Sequence, residues 1–65
     1  MGVLSLEQVG ELLGTTAIPG NEKELQVLAV RLGELLELNG AHWIRENRLM
    51  LLEQWRRVVE LKTIR

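Results

Sequence analysis

Apolar residues recur along most of this chain at intervals of three and four, the spacing of a helix that turns one face inward. Leu25, Leu28, Ala29, Leu32, Leu35 and Leu36 fall on one stripe, and Ile44, Leu51, Leu52, Trp55, Val58 and Val59 on a second. Ser5 precedes Leu6-Glu7-Gln8 as an S-x-x-Q capping box, with Leu4 and Val9 at the two positions of a hydrophobic staple. Gly14 follows Leu12-Leu13 and suits a left-handed closing residue. The pattern therefore predicts a first helix over residues 6–13, about two turns long. Gly10 weakens it, and a helix this short does not survive alone.

Residues 15–20 read as a connection, because Pro19 cannot extend a helix. Asn21 then caps a second helix, with Glu24 completing another box. That helix is expected over residues 22–38 and stops at the turn signal Asn39-Gly40. A third is expected over residues 41–62, with no strong cap at its start. Joining the second and third into one rod would leave their stripes roughly 130° apart at 3.6 residues per turn. A rod buries neither stripe well, whereas a hairpin turns both inward. Within the second helix, Gly33 costs about 1 kcal/mol relative to Ala. With Ala29 one turn earlier it makes a shallow groove suited to close approach by another helix.

The 65 residues are expected to form a single helical domain. A chain this short buries little of its surface, and disulfides, a metal or oligomerisation commonly compensate. There is no Cys, so disulfides and thiolate zinc sites are excluded. One His and no Asp leave little for a metal cage. Close helix packing and self-association remain. The composition also argues against disorder, since 26% charged residues nearly cancel to a net −1 beside a 46% apolar share. The longest apolar run, Leu49 to Leu52, is far short of the roughly 20 residues that span a bilayer. No basic segment followed by an apolar one marks the N-terminus, so no signal peptide is expected. Together with the missing Cys, this is compatible with a cytoplasmic location.

Candidate chemistry is sparse. His42 could act with Glu46 one turn away, but two ligands do not fill a zinc site. We read His42 as a surface residue and expect no metal. Ser5 is the sole Ser and is already explained as a cap. The glycines form neither a dinucleotide-binding fingerprint nor a P-loop. Glu53 with Arg56 and Arg57, and Arg56 with Glu60, fit exposed helix pairs of small worth. No cofactor is expected, and the chain does not read as an enzyme.

Charge is unevenly distributed. Residues 1–40 carry six Glu against Lys23 and Arg31, a balance of −4. Residues 41–65 carry Arg45, Arg48, Arg56, Arg57, Lys62 and Arg65 against three Glu, a balance of +3. A basic helix can bind nucleic acid, and Arg45, Arg48 and Arg56 share one flank. Arg57 lies nearly opposite, however, and Glu46, Glu53 and Glu60 intervene. Complementarity between the acidic and basic halves, within or between subunits, is the simpler reading. Residues 5–14 resemble the opening helix of MerR-type and excisionase helix-turn-helix domains. Those domains continue with a three-to-four-residue turn and a polar or basic recognition helix. Here residues 15–20 and the acidic start Asn21-Glu22-Lys23-Glu24 follow instead, so no DNA-contacting role carries over.

The expectation is thus an all-α fold: a short N-terminal helix plus a long antiparallel helical hairpin, forming a dimeric helical bundle. Trp43, Met50 and Leu61 form a second apolar line on the third helix, and Val27, Val30 and Leu38 another on the second. These six residues are the expected association surface of a homodimeric interaction module. Nucleic-acid binding through Arg45, Arg48 and Arg56 is the alternative function. Peripheral membrane binding through Trp43, Trp55 and the Arg residues ranks lower, since both Trp fit packing roles.

Overall fold

A computed structural model describes residues 4–63; Arg65, counted above with the basic half, lies outside them. The described residues are helical with short connections. The first helix, α1, spans Leu6–Leu13. Its capping box is formed: the Ser5 hydroxyl accepts from the Gln8 N–H at 3.2 Å, and Gln8 Oε1 accepts from the Ser5 N–H at 2.9 Å. At the staple positions, Val9 is fully buried and Leu4 packs against the core. Gly14 closes α1 at φ 72° and ψ 22°, a left-handed conformation that costs residues with a Cβ more than it costs Gly. The N–H groups of Gly14 and Thr15 both donate to the Gly10 carbonyl. A Cβ on Gly10 would stand 3.1 Å from the Thr15 carbonyl oxygen. The residue that weakens α1 is thus the one that lets the connection fold back over it.

The connection from residue 15 to residue 20 is tied down at two points. Thr15 Oγ1 accepts from the Ala17 N–H at 3.0 Å, and the Trp55 indole Nε1–H donates to the Pro19 carbonyl at 2.8 Å. Asn21 then caps α2, which spans Glu22–Asn39. Its Oδ1 accepts from the Glu24 N–H at 2.9 Å, and Glu24 Oε1 accepts from the Asn21 N–H at 2.8 Å. Leu28, Ala29, Leu32 and Gly33 are buried, with Leu25, Leu35 and Leu36 half-buried beside them. The inward face of α2 is therefore the stripe expected from spacing. Gly40 ends α2 at a positive φ of 87°, its N–H bonded to the Leu36 carbonyl.

The long third helix is not continuous. It divides at Asn47 into α3, Ala41–Glu46, and α4, Arg48–Thr63. Side-chain bonds to backbone carbonyls accompany the break, a known habit of Asn in helices. Asn47 Nδ2 donates to the Trp43 carbonyl at 2.9 Å, the same carbonyl that accepts the Asn47 N–H. The Arg48 guanidinium donates to the Arg45 carbonyl at 2.8 Å. Side chains thus satisfy carbonyls at the break.

Packing follows from that division. The short α3 lies against α1 and α2, while α4 packs against α1 and α3. Of the helix pairs, α2 and α4 approach each other least. All four helices contribute to one core of Val9, Leu12, Leu13, Leu28, Ala29, Leu32, Ile44 and Trp55. Truncating one large buried residue of this kind to Ala costs about 2–5 kcal/mol. That is comparable with the whole stability of a domain this size, about 3–10 kcal/mol at typical values per residue.

The capping geometry makes a direct prediction. Asn21→Ala should destabilise the fold by about 1 kcal/mol. Thermal unfolding followed by circular dichroism should show a midpoint lower by roughly 4–8 °C. Ser5→Ala should speed amide exchange in α1. An unchanged midpoint for Asn21→Ala would mean that the Asn21 cap contributes nothing to holding α2.

Candidate functional site

The slight approach of α2 to α4 leaves a groove of about 320 Å³ between them. Buried Leu32 and Trp55 line it, together with the more exposed Val27 of α2 and Val58 of α4, at 53% and 41% exposure. Arg31 and Lys62 supply cations to its lining, one from each helix. Beyond the groove, α2 presents Val30 and Leu38 to solvent, and α4 presents Met50 and Leu61, the last at 71% exposure.

Five of the six residues expected to form an association surface are therefore exposed: Val27, Val30, Leu38, Met50 and Leu61. Trp43 differs from these five. It is half-buried and packs against the core. A continuous third helix would place Trp43 on the same side as Met50 and Leu61; here Trp43 belongs to α3 and the other two to α4. Val58 departs the other way. The stripe assigned it to the core, whereas it stands on the groove wall. Arg31 and Lys62 were not singled out as groove residues, because their meeting depends on how α2 and α4 lie together. Leu49, 74% exposed, lies in the apolar run Leu49 to Leu52 but off the stripe, which was its only signal.

The three arginines of the alternative reading enter different surroundings. Arg45 borders a depression with Leu4, Gln8, Glu11 and Leu36. Arg48 reaches the Arg45 carbonyl, and its stem passes beside Gly14. It thus brings a cation to the C-terminal ends of two helices, where the helix dipole favours one. Arg56 Nη2 bonds both carboxylate oxygens of Glu53 at 2.9 Å. A phosphate backbone wants a coherent basic face, whereas these three residues each have different local neighbours.

His42 Nε2 lies 3.4 Å from Glu46 Oε2, with side chains 88% and 64% exposed. Pairs this open to water contribute little. Among the described residues, no group of three or more His, Cys, Asp or Glu could hold a metal ion. A wide depression along α1 and the connection has Glu7 and Glu11 on its border and Ile18 and Leu25 among its apolar lining. Its described lining contains no His, Ser or Cys to pair with those carboxylates. Among the described residues, no helix is long and apolar enough to cross a membrane. No family model, curated protein or solved structure matches this chain.

Because His42 touches so little, His42→Ala should change stability by less than about 0.5 kcal/mol, the usual range for an open surface site. Titration with zinc should show no stoichiometric binding to the unsubstituted protein. Zinc bound in a fixed ratio, and lost in the variant, would reverse this assignment.

Proposed function

We propose that this chain is a small, non-enzymatic protein–protein interaction module that acts as a homodimer through the outer faces of α2 and α4. One observation carries the reading: α2 and α4 approach each other less than the other helix pairs do, leaving a groove whose apolar lining includes the exposed Val27 and Val58. Val30, Leu38, Met50 and Leu61 are exposed on the same two helices. Exposed apolar surface gathered on neighbouring elements marks interaction sites. A second copy laid along it would close α2 and α4, the two long arms of the chain, into a helical bundle. A standard interface takes about 800 Å² from each partner. That is roughly one sixth of the chain's 4959 Å² of accessible surface, within reach of two helix faces.

Charge supports the same reading. The ion pairs of the described residues, His42–Glu46 and Glu53–Arg56, both lie inside the basic half. Among the described residues none involves α2, which leaves its charged groups available to pair between subunits. The sole Ser hydroxyl serves as a cap, consistent with a non-enzymatic role. The cytoplasm is the compartment we propose, on the absence of Cys.

Mass by light scattering across concentration tests the proposal. The unsubstituted protein should be dimeric at micromolar concentration. Leu38→Glu and Leu61→Glu should shift it toward monomer while the helical signal persists, and its melting temperature should rise with protein concentration. Protein that stays monomeric at high micromolar concentration would overturn the dimer.

A further inference from the structure

On the outward face of α2, Val27, Arg31, Glu34 and Leu38 succeed one another at spacings of four, three and four. Those are the spacings of the a and d positions of a helix–helix seam. All four are exposed, and none belongs to the core cluster. The seam is about 17 Å long by the helical rise. Neither Arg31 nor Glu34 has an ion-pair partner among the described residues, and Val27 and Leu38 bracket the two on this face.

We infer that α2 pairs with α2 of a second copy in an antiparallel seam whose register is set by Arg31 and Glu34. The inference rests on the homodimer proposed above and specifies its contact. In an antiparallel pair each a position faces a d position of the other helix. Placing the two-fold axis between residues 32 and 33 sets Val27 against the partner's Leu38, and Arg31 against the partner's Glu34. Symmetry repeats both contacts, so the surface is self-complementary, as a two-fold interface requires. A parallel pair in register would put Arg31 on the partner's Arg31 and Glu34 on the partner's Glu34, two like-charge contacts. The central charges therefore choose orientation as well as register. Val27 and Arg31 also line the α2–α4 groove, so a helix seated on this seam lies along the groove's open side.

Charge reversal tests the seam, read by sedimentation velocity with circular dichroism as a check on folding. Arg31→Glu or Glu34→Arg alone creates like-charge contacts twice per dimer, and each should weaken dimerisation at least about tenfold. The double variant R31E/E34R exchanges the charges and should restore the dimer to within about threefold of the original affinity. Mixing the two single variants should produce a heterodimer, since each then meets its opposite charge. An unsubstituted dimer unaffected by either single reversal would overturn the seam while leaving the homodimer standing. A double variant as weak as the singles would also overturn it. An unsubstituted protein that is monomeric at high micromolar concentration would reject the homodimer itself, and the seam with it.

Discussion

The hydrogen bond from the Trp55 indole to the Pro19 carbonyl ties together parts of the chain 36 residues apart. The other described side-chain hydrogen bonds join residues no more than four apart. They cap and close individual helices, while this one constrains how helices sit relative to one another. Trp55 is 7% exposed, so its ring adds to the core while its one polar atom holds the connection between α1 and α2. A buried Trp needs a partner for its N–H, and a Pro carbonyl at the end of a connection needs a donor. With no disulfide available, that mutual requirement supplements the packing of eight buried apolar side chains.

Once the connection is anchored, the core is occupied from several sides. α1 and α3 both reach it, and Val9 and Ile44 are fully buried there. Because the chain breaks at Asn47, α3 and α4 need not present the same face to the core. α4 then lies against α1 and α3 more than against α2, and the groove between α2 and α4 is what remains. The surface proposed for association is thus a product of how the core is filled.

Sequence reading reached the features governed by neighbouring residues. The caps at Ser5 and Asn21, the closing Gly14 and the buried stripe of α2 all depend on residues within a turn or two of each other. It did not reach the break at Asn47, because Asn, Arg and Trp at 47, 48 and 43 are each acceptable in a helix interior. The side-chain bonds to two carbonyls at the break are visible only in the structure. The half-burial of Trp43 was out of reach for the same reason, since a helical wheel assumes an unbroken helix. Gly10 was read as a weakness because its purpose, room for the Thr15 carbonyl, comes from a backbone path beyond the end of its helix. The groove residues Arg31 and Lys62 meet through tertiary structure alone.

The central claim is that Trp55 fastens the connection to α4, and solvent exchange of its indole proton tests this most directly. The chain has two Trp residues, so two indole signals are expected, and Trp55→Phe identifies the one in question by removing it. The account predicts that this proton exchanges slowly, protected by its bond to Pro19 and opening only when the fold does. Exchange at the rate of a free indole, in protein whose helices remain intact, would contradict it.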